Sequence, residues 1–153
     1  MGSYTHLIIY TDGACRGNPG AGASAIHIVD ETTSETVVDF GSALGMTTNN
    51  VAEYQAVLGA VEWLLAHKEL LAEHIQMDFR LDSNLVVSQL LGLNKINHPK
   101  LRQLAEEVLS CLSQLPGTYT FKHIPREENK YADRLANDIL DKQVPDSHIS
   151  VDQ

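Results

Sequence analysis

Cysteine is scarce in this chain: Cys15 and Cys111 are its only two, and their wide separation fits neither a disulfide framework nor a zinc site. That usage points to a reducing, cytoplasmic setting. Long hydrophobic runs are absent as well. Stretches such as Leu64-Leu65-Ala66 are far too short to cross a bilayer, so no membrane partner is expected. Met1 to His6 lacks a charged segment followed by an apolar one, so no secretory signal is expected there. Positive charge is in deficit, with 11 Lys and Arg against 20 Asp and Glu and a net charge of −9. Taken alone, that balance argues against a polyanionic partner, because phosphate contact usually needs a basic face. A phosphate-cradling glycine loop is also lacking. Gly20-Ala21-Gly22-Ala23-Ser24-Ala25 fits the loose G-x-G-x-x-A pattern, but a β-rich run follows it where a helix is required. No organic cofactor is therefore expected. His6, His27, His67, His74, His98 and His148 show no metal-ligand spacing.

What remains is an ordinary globular composition. The 153 residues, 43% of them apolar, suit one domain able to bury a core without staples. Residues 6–12, apolar on both faces, read as a central strand. Asn18-Pro19-Gly20 reads as a turn, followed by strands over 23–30 and 35–44. The cap-forming cluster Thr47-Thr48-Asn49-Asn50 starts a helix running to about His67. A fourth strand spans 75–81, and Asp82-Ser83-Asn84 caps a short helix through Leu91. Asn97-His98-Pro99 opens another helix, closed by Pro116-Gly117. A fifth strand covers 118–124 and a last helix 129–141. The domain is placed at 1–142, with an irregular tail over 143–153. The order β-β-β-α-β-α-α-β-α predicts an α/β fold: a mixed five-stranded sheet with helices on both faces.

Four acids sit where folding alone explains them poorly. Asp12 and Asp82 each end a strand, Glu53 lies near the start of a helix, and Asp133 interrupts the apolar-leaning start of the last one. Parallel pairing of the first and fourth strands places Asp12 and Asp82 about 5 Å apart across the ladder, at the strand ends where open α/β sheets bind ligands. Each acid also has a plain reading by itself: Asp82 as a helix cap, Glu53 as a helix-dipole partner, Asp133 as a solvated helix acid. Together they would repel one another unless a hard cation such as Mg²⁺ neutralised them.

Four segments resemble, in order, the motifs of the type 1 ribonuclease H family. They are Tyr10-Thr11-Asp12-Gly13-Ala14-Cys15-Arg16-Gly17-Asn18-Pro19-Gly20, Thr48-Asn49-Asn50-Val51-Ala52-Glu53-Tyr54, Leu81-Asp82-Ser83-Asn84-Leu85-Val86 and Pro125-Arg126-Glu127-Glu128-Asn129-Lys130-Tyr131-Ala132-Asp133. The resemblance implies a ribonuclease H-like fold with strand order 3-2-1-4-5. It implies that Asp12, Glu53, Asp82 and Asp133 hold two Mg²⁺ ions, with Mn²⁺ as a substitute. It also implies that Gly13, Cys15, Asn18, Asn49, Asn50 and Asn84 face the minor groove of an RNA–DNA hybrid, whose 2′-hydroxyls distinguish RNA. Turn or cap duty for those asparagines is compatible with that role.

Two departures mark a short form. No basic protrusion is present, since only Gly92 to Asn97 joins the two middle helices, and the loop before Asp133 is short. His123 and Arg126 are the candidates for assisting catalysis from that loop; Arg126 is favoured, and His123 reads equally as a strand-edge residue. Arg16, Lys95, Lys100, Arg102, Arg126 and Lys130 must supply the cations that the overall charge denies. The expected activity is hydrolysis of the RNA strand of a hybrid, leaving 5′-phosphate and 3′-hydroxyl ends. The competing readings are a non-cutting ribonuclease H-like module that binds nucleic acid or protein, and a nuclease for other substrates such as double-stranded RNA.

Overall fold

The computed structural model describes residues 2–152, with side chains through Lys142. The first three strands, β1 (Tyr4–Gly17), β2 (Gly20–Asp30) and β3 (Thr36–Thr47), form an antiparallel meander. Helix α1 (Asn49–Ala66) and a 3₁₀ turn (Lys68–Leu70) lead into β4 (Leu71–Leu81), which pairs in parallel with β1. Helices α2 (Asn84–Leu90) and α3 (Pro99–Leu112) then return the chain to β5 (Thr118–His123), parallel to β4. A second 3₁₀ turn (Arg126–Glu128) precedes α4 (Lys130–Asp152). The sheet order is β3-β2-β1-β4-β5, as expected.

Three strands are longer than their sequence signals. β1 continues to Gly17, β2 starts at Gly20 and β3 reaches Thr47, so Asp12 lies inside its strand rather than at its end. The added residues are mostly glycine, alanine and polar side chains. Ladder pairing through Gly17 and Gly20 holds them in place of intrinsic β-propensity. β4 likewise begins at Leu71, four residues before the alternating pattern becomes clear. The G-x-G segment lies in β2, which confirms that it opens no helix. Helix α4 extends to Asp152, where an irregular tail was expected from residue 143. His148 and the other side chains beyond Lys142 lie outside the described residues. Among the described residues no helix is long and apolar enough to cross a membrane.

The two faces of the sheet are covered differently. On one, Leu7, Ile9, Ile26, Ile28, Met77, Phe79 and Leu81 pack against Tyr54, Val57, Val61 and Leu64 of α1 and Leu104 and Val108 of α3. On the other, α4 lies close, because Ala23 and Ala25 meet Ala132, Ala136 and Leu140. The start of α4 is pinned from two sides. The buried Asn129 amide donates to the Thr11 carbonyl at 2.9 Å. Tyr131 stacks on His27, with ring centroids 3.9 Å apart, and its hydroxyl donates to Asp39, which also bonds His27. This anchoring carries Asp133 to the end of the β1–β4 ladder.

Candidate active site

Asp12 follows the last paired residue of the β1–β4 ladder, Thr11 opposite Leu81, so Asp12 and Asp82 lie side by side just past the end of that ladder, with Asp12 still paired to Ala25 of β2. Asp82 has no capping duty: the Ser83 hydroxyl caps α2 by accepting from the Val86 N–H. Glu53 has none either. Thr48 caps α1, and Glu53 lies beyond the first turn. Its position depends on Gly13. A Cβ there would come within 2.3 Å of the Ala52–Glu53 backbone, so only glycine lets β1 and α1 approach so closely. The Gly13 N–H then donates to Glu53 Oε1 at 3.0 Å.

Oxygens of Asp12, Glu53 and Asp82 all lie within 4.8 Å of one another. Asp133 borders the same group from the first turn of α4, close enough to push the Asp12 carboxyl upward. Asp12 is 4% and Glu53 9% exposed. Burial drives the Asp12 carboxyl far above the usual carboxylate range, and Glu53, Asp82 and Asp133 push it the same way. Glu53 is raised for the same first reason and by Asp82, against the opposing pull of the Gly13 N–H and Arg126. Asp82 Oδ2 is buried without a hydrogen-bond partner. A pocket of crowded hard oxygen donors, raised protonation and an orphaned carboxylate oxygen fits a divalent cation such as Mg²⁺ or Mn²⁺, which would satisfy all three features at once.

The four acids line a cleft of about 410 Å³ together with Gly13, Ala14, Cys15, Asn49, Asn50, Ser83, Arg126 and Asn137. Gly13, Cys15, Asn49, Asn50 and Arg126, which the family resemblance singles out, all border this cleft. Asn18 lies one step back, its Oδ1 accepting from the Asn49 N–H at 3.0 Å. Asn84 is an exposed first residue of α2, beside Ser83. His123 is exposed at the end of β5 and outside the cleft lining. Of the lining residues not expected, Ser83 was hidden within the capping role that Asp82-Ser83-Asn84 share in the sequence. Asn137 had a readable signal: it falls four residues after Asp133, one turn on along the same helix face.

The family model described as "Reverse transcriptase-like" matches residues 10–139. Ribonuclease HI of Halobacterium salinarum is 37% identical over 132 residues, covering 86% of this chain and 63% of that protein. A bifunctional protein of Mycobacterium tuberculosis is 33% identical over 135 residues, 88% of this chain but 35% of its own length. The chain thus spans between about a third and two thirds of these curated relatives. The crystal structure of LC11-RNase H1 in complex with RNA/DNA hybrid superposes with a TM-score of 0.83 at 36% identity, covering 90% of this chain and 99% of that one.

Proposed function

This chain belongs to the ribonuclease H family, and from that premise we propose that it is a short-form type 1 enzyme that hydrolyses the RNA strand of RNA–DNA hybrids in a reducing, cytoplasmic compartment. The observation that carries the reading is the convergence of Asp12, Glu53 and Asp82 on one point, with Asp133 lining the same cleft. Asp12 and Asp133 would hold one Mg²⁺ and Asp12, Glu53 and Asp82 a second, and the bound ions would supply Lewis acidity for a hydrolysis that leaves 5′-phosphate and 3′-hydroxyl ends.

The chain's own residues supply the rest. Gly13, Cys15, Asn49 and Asn50 border the acids and present backbone and amide groups to the 2′-hydroxyls of the RNA strand. Asn18 braces this rim through the Asn49 N–H, and Asn84 extends it from the start of α2. Arg126 borders the cleft and holds a phosphate against it, a role that His123 cannot share from outside the lining. Arg126→Ala is expected to lower kcat roughly tenfold, less than the roughly hundredfold loss of a preorganised buried donor, because Arg126 is exposed. His123→Ala is expected to leave it unchanged. The opposite ranking in single-turnover assays would exchange the two assignments.

The reading is tested with labelled RNA–DNA hybrid, duplex RNA and duplex DNA of one sequence, each with Mg²⁺ or Mn²⁺. Cleavage confined to the RNA of the hybrid is expected. Cutting of duplex RNA would shift the substrate class, and binding without cutting would leave a non-catalytic module. Because the chain carries a net charge of −9, hybrid affinity is expected to be weak and to fall steeply with salt. Tight, salt-insensitive binding would show that the phosphate contacts are wrongly placed.

A further inference from the structure

Asn137 lies one helical turn beyond Asp133 in α4, half-buried at the edge of the acidic cleft. Its Nδ2 donates to the Asp133 carbonyl at 2.9 Å and to Asp133 Oδ1 at 3.3 Å. Its Oδ1 accepts from Nη2 of Arg16 at 3.2 Å, and the same Nη2 donates to Asp141 at 2.7 Å. The two ends of an asparagine amide are chemically opposite, one donating only and the other accepting only. Here every partner of Nδ2 is an acceptor, and the partner of Oδ1 is a guanidinium, which can only donate. A flipped amide would face oxygen to oxygen at Asp133 and N–H to N–H at Arg16. The Arg16–Asp141 ion pair on the β1 hairpin side therefore fixes which end of the amide meets the carboxylate.

Asp133 is the acid that needs this help. Asp12, Glu53 and Asp82 already share a point within 4.8 Å, whereas Asp133 stands outside that group and lines the same cleft. Its side chain rises from a helix surface with one face open, so its rotamer is not settled by packing alone. The Asn137 contact settles it without adding charge, which leaves the negative charge of the cluster whole.

We propose that Asn137 is a positioning residue that holds the Asp133 carboxylate in its cation-binding rotamer, with Arg16 and Asp141 acting through it. This rests on the reading of the four acids as cation ligands. Groups that orient ligating side chains typically account for about 10–100-fold in metal affinity. The role differs from a structural one in what it moves. Alanine is a better helix former than asparagine, so Asn137→Ala keeps α4 and the melting temperature.

The test is Mn²⁺ binding to the full chain without nucleic acid, followed by water-proton relaxation. Asn137→Ala is expected to bind Mn²⁺ about tenfold more weakly at an unchanged melting temperature. Asn137→Leu, which keeps a branched side chain there and removes all three hydrogen bonds, is expected to match it. Arg16→Ala supplies a contrast of sign. Removing a cation near the cleft by charge alone strengthens binding of a dication, whereas loss of the Asn137 orientation weakens it. Weaker binding in Arg16→Ala, absent when Asn137 is already alanine, is the expected pattern. Wild-type affinity in both Asn137 variants overturns the proposal, and stronger binding in Arg16→Ala overturns the part given to Arg16. A wild-type chain that binds no Mn²⁺ at all defeats the metal reading itself, a distinct result.

Discussion

Asp12→Asn is expected to abolish cleavage of hybrid RNA and, in a chelator, to raise the melting temperature. Both effects have one origin. Asp12 is buried against three other acids, and its carboxyl is held far above the usual range by burial first and by those neighbours second. Without a cation the charged form is a cost to the fold, so a neutral amide of nearly the same volume relieves it. Each kcal/mol recovered raises the midpoint by roughly 2–4 °C in a chain of this size. The same change removes the carboxylate shared by both proposed cation positions. A loss of about a thousandfold or more in kcat is expected, the order lost when a preorganised electrostatic element is removed. Gain of stability with loss of activity is the signature of a site whose charges serve chemistry and oppose folding. A variant that is inactive because it is less stable would point to a structural acid.

Chelation gives the second large effect, with a pH dependence of fixed sign. In the folded chain without metal, the Asp12 and Glu53 carboxyls are raised above their unfolded values. Between the ordinary carboxylate range and those raised values the folded state binds more protons than the unfolded one, so stability falls as pH rises through that window. In a chelator the melting temperature is expected to drop from about pH 5 to about pH 8. The drop is expected to be smaller in Asp12→Asn, which lacks one of the titrating groups. Divalent ions bind the deprotonated acids, so Mg²⁺ should release protons on binding and stabilise the chain more at the higher pH. Activity should vanish with chelation while far-ultraviolet dichroism stays native, since the hydrophobic faces of the sheet make no use of the acids. A midpoint independent of pH, or Mg²⁺ stabilising equally at both ends, would contradict the crowded-acid account.

The parts of this arrangement that the sequence reveals are those with strong local grammar. Helical and alternating periodicities place the elements in order, and the cap residue Thr48 marks the start of α1 where it is found. The four acids stand out by their joint placement, since each alone also reads as a cap, a helix-dipole partner or a solvated acid. The parts that stay hidden depend on partners distant in the chain. Strand ends at Gly17, Gly20 and Thr47 come from pairing, which glycine and alanine do not announce. The choice between Asp82 and Ser83 as the cap of α2 is set by which side chain the sheet turns toward Asp12. The Tyr131, His27 and Asp39 cluster, which holds the first turn of α4, joins three separate elements and has no sequence pattern. The favoured Arg126 and the strand-edge His123 are set apart further by the fold: three residues apart, one borders the cleft and the other ends a strand outside it.

Anomalous scattering from crystals soaked in Mn²⁺ measures the central premise directly. Density at the manganese edge is predicted between the carboxylates of Asp12, Glu53 and Asp82, within coordination distance of each, and reduced or lost in crystals of Asp82→Asn. Peaks confined to other surfaces of the molecule, with these acids bonded only to water and to one another, would contradict it.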